Sequence, residues 1–286
     1  MTMIRKQLSV LPQYLAPQRL LTDFAGWLSE RRSTWFKNWQ INYLIKKYGA
    51  NLQEAQLENI ADYPTFNSFF TRHLKPELRP IASAPTAIAS PADGAISQIG
   101  AIRETQLLQA KGFDYSLADL LASEDLAKPF INGEFATIYL SPKDYHRVHM
   151  PFTGTLTETI FIPGKLFSVN QKTANHVPRL FARNERLVCL FDTAAGPMAV
   201  ILVGAMLVGS ICTVWNGVVR ASKITHQTYP TSGSDCITLE RGAELGHFKM
   251  GSTVIILLPK GAAWLNTLAA NSVVRMGELL GNLSLS

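Results

Sequence analysis

Residues 193–219 contain no charged side chain, and within them residues 198–215 form an 18-residue stretch long enough to cross a bilayer. This stretch decides between two very different folds. Its composition argues against a membrane span. It is rich in Val and Ile, it follows Gly196-Pro197, it is interrupted at Gly204 and Gly209-Ser210, and no basic flank anchors it. The sequence predicts two central strands joined at Gly204. Residues 254–258 (Val-Ile-Ile-Leu-Leu), closed by Pro259, read as a further buried strand. The body of the chain is therefore expected to be built on strands.

The 286 residues can bury a sizeable core. Residues 1–50 hold eight Lys/Arg against two acids, Asp23 and Glu30, while the remainder is balanced; the formal charge of +6 thus belongs to one terminal segment. That segment also has helical periodicity. Leu20, Leu21, Phe24, Trp27 and Leu28 share one face, and Trp35, Phe36, Trp39 and Tyr43 repeat the pattern. Three of the five tryptophans stand here among the basic residues, including Arg5, Lys6, Arg31 and Arg32. Tryptophan favours the headgroup zone, and Lys and Arg are drawn to anionic lipid. Two readings stand side by side: a helical hairpin lying on an acidic membrane surface, or ordinary helices packed on the body. No recognition motif supports nucleic acid. Cys189, Cys212 and Cys236 lie in apolar or strand-like runs without metal-ligand spacing, which points to reduced, buried thiols in a cytoplasmic setting. No signal peptide is recognisable.

Residues 52–75 suggest one or two more helices, with Pro64 and Thr65 starting the second and Phe66, Phe69 and Phe70 facing the core. Residues 76–92 read as an extended linker and 105–130 as helical. Polar groups gather at three places. Asp93 stands in Ser90-Pro-Ala-Asp-Gly94, ahead of an alternating strand. His146 and His149 lie in Ser141-Pro-Lys-Asp-Tyr-His-Arg-Val-His-Met-Pro151, which leaves the predicted strand 134–140. A loop at a strand end is a usual place for chemistry, and histidine is suited to proton transfer near neutrality. His-x-x-His also fits a metal, but no third ligand of matching type stands nearby, so no metal is expected. Finally, Gly251 precedes Ser252 where a turn feeds the strand 254–258. A side-chain-free residue there lets the serine hydroxyl approach the preceding carbonyl carbon.

Four stretches, in this order and at these separations, resemble bacterial phosphatidylserine decarboxylases: Pro91-Ala-Asp-Gly94, Tyr145-His-Arg-Val-His-Met-Pro151, Pro163-Gly-Lys-Leu-Phe-Ser-Val-Asn170 and Phe248-Lys-Met-Gly-Ser-Thr-Val-Ile255. The resemblance runs from about residue 60 to the end, and more loosely through the basic N-terminus. It implies a proenzyme that cuts itself between Gly251 and Ser252 into residues 1–251 (the β chain) and 252–286 (the α chain). His149 would activate Ser252 and Asp93 would orient His149, a triad defined by geometry rather than chain order. Ser252 would become a covalent pyruvoyl group, the electron sink that decarboxylation of an amino acid requires, acting through a Schiff base with the substrate amine. His146 would serve the decarboxylation as acid or base, and Phe167 and Ser168 would touch substrate. The implied substrate is phosphatidylserine and the product phosphatidylethanolamine, both bilayer lipids. Phospholipid biosynthesis at the cytoplasmic face of the membrane, as a peripheral protein and a dimer of αβ units, completes the implied picture.

The expected fold is α+β: N-terminal amphipathic helices forming a membrane-docking segment (residues 1–75), followed by a mostly antiparallel β body carrying the site (residues 76–286). From the residues alone two alternatives stay open: an Asp-His-Ser hydrolase that attacks an external ester with an intact Ser252, and a non-catalytic peripheral membrane protein whose Gly-Ser turn is only structural.

Overall fold

The computed structural model describes residues 10–110, 112–206, 210–249 and 252–284. The run 254–258 forms the middle of the molecule, as its composition demands. Strand Ser252–Leu258 is buried at all seven positions and lies antiparallel to Gly196–Val203 on one side and Glu134–Leu140 on the other. From this centre the main sheet continues through Arg186–Thr193, Gly154–Ile162 and Thr225–Thr228 in one direction, and through Gly94–Ala101 and Val273–Val274 in the other. A strand walled on both faces must be apolar throughout, which is why periodicity alone leaves residues 254–258 without a polar face. Each of its five branched side chains contributes about 1.5–3 kcal/mol by burial. The core around it includes Ile138, Leu140, Val200, Leu202, Phe135 and Phe248.

Two smaller antiparallel sheets and one separate two-stranded hairpin complete the described body. Gly217–Val219, Ile211–Thr213, Glu244–Phe248 and Arg147–His149 form one; Ala87–Ala89, Leu279–Leu283 and Ala262–Trp264 form the other. Among the described residues every pairing between strands is antiparallel, with a single parallel bridge, Lys165 to Asn184, outside the strands, so the expected fold class holds. The charge-free run divides as expected, into Gly196–Val203 and Ile211–Thr213. No described helix is long and apolar enough to cross a membrane.

Three expectations need correction. Residues 105–130 are not one helix: Gln106–Ala110 and Phe113–Ser116 form a hairpin, and only Leu117–Leu121 and Glu124–Ala127 are helical. Leu107 is buried and Leu108 exposed, a strand alternation hidden in a leucine-rich stretch. The linker 76–92 ends in the fully buried strand Ala87–Ala89. Cys189 and Cys212 are buried, but Cys236 is partly exposed because its segment stays at the surface.

The N-terminal segment folds as helices Leu11–Leu15, Gln18–Ser29 and Thr34–Tyr48, and Phe66–Phe70 follows under a capping box made by Thr65 and Ser68. Phe66, Phe69 and Phe70 pack with Ile41, Leu44 and Tyr63, as expected. Helix Gln18–Ser29 is turned the unusual way. It buries Thr22 and Ser29, while Leu20, Leu21, Phe24 and Trp27 face outward. Leu15 is 79% exposed, Leu20 71% and Trp35 77%. Arg5 and Lys6 lie outside the described residues. Lys37 does not join the solvated face: it is buried, and its Nζ donates to the carbonyls of Ile60 and Tyr63.

Candidate active site

Ser252 opens the central strand. It pairs with Leu140, so it stands at the end from which the loop 141–146 departs. Its side chain is fully buried, and its Oγ has no hydrogen-bond partner among the described residues. A buried hydroxyl without a partner costs stability; those of Thr253 and Thr137 share this state, and Ser252 differs from them in standing at the head of the strand, next to Gly251. Gly251 lies outside the described residues.

The loop beyond Leu140 carries both histidines. His146 is fully buried, with its ring 4.0 Å from that of Phe70. Its Nδ1 is 2.8 Å from the Asp144 carbonyl, which fixes the proton on Nδ1 and leaves Nε2 as an acceptor. That Nε2 is also buried without a partner. Burial lowers the His146 pKa to about 3, so the ring is neutral near physiological pH. The Phe248 N–H donates to the His146 carbonyl, which ties this loop to the strand Glu244–Phe248 just ahead of Ser252.

His149 lies in strand Arg147–His149, paired with Glu244. Its Nδ1 donates to the Gly242 carbonyl at 2.8 Å, and its Nε2 accepts from the Tyr145 hydroxyl at 3.0 Å. Burial again lowers its pKa, partly offset by the bond to Gly242. Asp93 comes close to this strand, since the His149 N–H donates to the Pro91 carbonyl. Its carboxylate, however, is engaged elsewhere. Both oxygens meet Arg79, the closest approach being 2.5 Å, and Oδ1 also accepts the Met276 N–H at 2.8 Å. Among the described residues Asp93 makes no hydrogen bond to His149; its charge is the smallest of the influences on the His149 pKa, in the raising direction. Gly94 is required beside it, because a Cβ there would run into the Tyr139 carbonyl.

Several supporting residues were not singled out from the sequence. Arg79 is buried between Asp93 and Glu54; burial opposes its charge, but the two carboxylates outweigh that and raise its pKa further. Tyr145 was visible in the histidine motif but carried no assigned role. Arg147 grips Glu244 with its Nη1 at 2.7 and 2.8 Å. Despite burial, His247 and Arg147 lower the Glu244 pKa to about 2, and Cys212 and Glu244 raise that of His247 to about 9. No sequence signal marks Arg79 or Glu54, since their partner is distant in the chain.

Phe167 and Ser168 have no hydrogen bond or ring contact with either histidine among the described residues. Phe167 is buried and edge-on to Tyr14, and the Ser168 N–H donates to the Gln13 side chain. Among the described residues no group of three His, Cys, Asp or Glu is placed to hold a metal ion.

The buried neutral histidine has a measurable consequence. Its folded pKa lies below the unfolded value of 6.5, so between about pH 6.5 and 3 the unfolded chain binds the extra proton and stability falls with pH. At pH 5 this removes about 2 kcal/mol relative to pH 7.5. Urea unfolding of the wild type and of His146→Gln at both pH values should show the acid loss reduced by that amount in the variant. An equal loss in both would mean that His146 is not held neutral.

The described residues thus leave a buried Ser252 hydroxyl at the start of the core strand, and a buried, neutral His146 on the loop that leaves the paired strand, each without a hydrogen-bond partner. The comparisons with known proteins give the chain its family. The family model described as phosphatidylserine decarboxylase matches residues 66–282, and a second model, described as PSD, matches residues 8–49. Proteins named phosphatidylserine decarboxylase proenzyme are similar over nearly the whole chain. That of Pseudomonas putida (strain W619) is 54% identical over 97% of this chain and 98% of the relative. That of Ectopseudomonas mendocina (strain ymp) is 52% identical over 99% and 100%. That of Pseudomonas aeruginosa (strain LESB58) is 53% identical over 96% and 97%. The chain belongs to the phosphatidylserine decarboxylase family, whose members are pyruvoyl-dependent carboxy-lyases made as proenzymes.

Proposed function

We propose that this chain cuts itself between Gly251 and Ser252, and that Ser252 becomes the pyruvoyl group with which the enzyme decarboxylates phosphatidylserine to phosphatidylethanolamine. The decarboxylation and the pyruvoyl dependence follow from family membership. The observation that carries the assignment to Ser252 is its buried, unpartnered Oγ at the head of the central strand. A hydroxyl held dry and unbonded has lost the water that would compete with attack on a neighbouring carbonyl.

The self-cleavage is chemistry of the chain's own residues. Ser252 Oγ attacks the Gly251 carbonyl carbon, and the peptide becomes an ester. Loss of the Ser252 Cα proton expels the Gly251 carboxylate and leaves dehydroalanine. Hydrolysis releases ammonia and leaves the α-keto group at the new N-terminus of residues 252–286. That group, once present, supplies the electron sink for the carbanion left by CO₂ loss. The fit is favourable: Thr253 and residues 254–258 are clamped between two strands, so the new terminus has a rigid mount.

In the reading implied by the resemblance, His149 takes the Ser252 proton, Asp93 supports His149, and His146 handles protons during decarboxylation. One observation favours a second assignment for the first step. His146 Nε2 and Ser252 Oγ are both buried and unpartnered, whereas His149 Nε2 is already occupied by Tyr145. His146→Ala decides between them. Under the first reading it yields two chains on a denaturing gel and loses decarboxylation by at least a hundredfold. Under the second it remains one chain, while His149→Ala still cuts. If both variants cut and decarboxylate normally, neither histidine has the assigned role.

The N-terminal helices dock on the anionic cytoplasmic leaflet as a peripheral element, with the outward Leu15, Leu20, Phe24, Trp27 and Trp35 entering the headgroup zone. An apolar face turned away from the body supports this over ordinary packing. The chain divides into a helical docking segment (residues 1–75) and a catalytic body (residues 76–286), and the two cleavage products, residues 1–251 and 252–286, stay associated because the strand that opens the smaller one is paired on both sides. Dimerisation of the cut αβ unit completes the proposed assembly.

A further inference from the structure

The Pro163-Gly-Lys-Leu-Phe-Ser168 motif is not absorbed by the self-cleavage chemistry, and a cavity opens against it. The cavity is about 430 Å³ and lies between the loop 163–168, Arg183 and the start of helix Gln18–Ser29. Its wall carries three cations, Arg19, Lys165 and Arg183. Among the described residues, Arg19 alone of the three has a carboxylate partner, Glu185 at 3.1 Å. Arg183 is stacked, with its guanidinium 5.0 Å from the centre of the Phe167 ring and 5.5 Å from that of Tyr14. The site therefore has an excess of positive charge that the fold does not neutralise.

Its construction is specific. Gly164 is needed, because a Cβ there would stand 2.5 Å from the Arg183 carbonyl oxygen; only glycine lets the loop lie this close. Asn184 is fully buried, accepts the Phe167 N–H, and donates to the carbonyls of Phe167 and Gly204. Gln18 and Gln13 accept the N–H groups of Leu166 and Ser168, so the helices are bolted to the loop rather than resting on it.

The location links the two halves of the enzyme. On the outer side the cavity is lined by Leu20, and Leu15 stands between its lining residues Tyr14 and Ala16 in the chain; these are the most exposed apolar side chains of the first two helices. On the inner side Glu185 precedes Arg186, which pairs with Val203, which pairs with Thr253. Two strand spacings separate Arg186 from Thr253, roughly 10 Å. A cationic cavity with an exposed apolar rim, whose wall residue Arg183 stands three residues ahead of Arg186, matches one ligand chemistry. In phosphatidylserine the phosphate lies three bonds from the reacting Cα, on the side of the acyl chains.

We propose that Arg19, Lys165 and Arg183 bind the phosphodiester of the phospholipid substrate, holding the headgroup between the bilayer and residue 252. This rests on the decarboxylase reading above. The acyl chains leave along Leu15 and Leu20, and the serine amine and carboxylate point inward. Serine alone, which lacks the phosphodiester, is accordingly a poor substrate.

The test uses the self-cleaved full-length enzyme and water-soluble dihexanoyl phosphatidylserine below its micelle concentration, so that surface attraction plays no part. Lys165→Gln/Arg183→Gln should still cut itself, by intact mass, and should show a KM raised about tenfold with kcat within twofold of wild type. Lys165→Arg/Arg183→Lys should recover most of the KM. Lys46→Gln/Lys47→Gln, with the same charge change on an exposed helix end, should leave KM unaltered. Dihexanoyl phosphatidylglycerol should compete in the wild type and lose that competition in the neutral variant, while inorganic phosphate at equal concentration should not compete. An unchanged KM overturns the proposal, and so does inorganic phosphate competing as well as the lipid, since the cavity would then be a free-phosphate site. If the neutral pair does not cut, Lys165→Gln alone, at an exposed side chain, carries the same readout. Should the wild type fail to release CO₂, the decarboxylase reading falls; calorimetric binding of dihexanoyl phosphatidylglycerol to wild type and variant then still decides the cavity.

Discussion

Ser252→Ala is expected to leave a single chain of 31.6 kDa with no carbonyl-reactive terminus and no decarboxylation, while folding as well as the wild type or better. The loss of function is complete because no other hydroxyl occupies this position at the strand head. Thr253, the next residue, points to the opposite face of the sheet. The stability expectation follows from the same geometry. The Ser252 Oγ is buried with no hydrogen bond, so the wild type bears its desolvation without return, about 1–3 kcal/mol. Alanine removes that penalty and leaves the strand pairings with Leu140 untouched. Intact mass under denaturing conditions and a thermal melt give both readouts. In the wild type, two species divided at Gly251/Ser252 are expected, the smaller carrying a pyruvoyl mass. A cut Ala variant would refute the mechanism, and a melting temperature well below that of the wild type would mean that Ser252 holds the fold together.

The second large effect is expected at Arg79. Its guanidinium is buried, binds both oxygens of Asp93, and also binds Glu54 at 2.6 Å. It therefore fastens the residue 52–75 segment and the Asp93 loop to one another. Arg79→Leu leaves two carboxylates close together with little water, and breaking such a pair from one side costs about 3–5 kcal/mol. The Met276 N–H remains as a partner of Asp93, so the loop is loosened rather than expelled. Self-cleavage should slow at least tenfold, since the carboxylate that biases His149 is no longer held. Arg79→Lys should recover part of the stability but not the planar two-point grip. Urea unfolding reports the first quantity and the time course of chain separation the second. A variant within 1 kcal/mol of wild type would show that Asp93 is positioned by its own loop alone.

The way these residues are found explains what the chain discloses about itself. Motifs that act locally are legible: Gly251-Ser252 before an apolar run, two histidines three apart, Asp93-Gly94 in a turn. Each of those requirements is met within a few residues. Thr65 as a helix cap and the buried aromatic trio after it are legible for the same reason. Residues 105–130 do not form the expected helix because leucines at helical spacing also satisfy a hairpin when the turn chemistry is weak, and neighbouring strands then decide. Arg79 and Glu54 were not found because the ion pair that defines them spans distant segments. The outward face of helix Gln18–Ser29 was found as an apolar stripe, but a stripe is the same whether it faces a core or a membrane.

The sequence by itself thus determined the β character of the body, the absence of charge along its central strands and the basic, aromatic character of the first fifty residues, because composition and periodicity act through local conformation and burial. It also carried the family motifs. Tertiary structure alone decided which hydroxyl and which imidazole nitrogen are left without partners, that Asp93 answers to Arg79, and that Lys165 and Arg183 share a cavity with Arg19. Those are consequences of strand order, which brings residues far apart in the chain within hydrogen-bonding distance, and no local pattern encodes them.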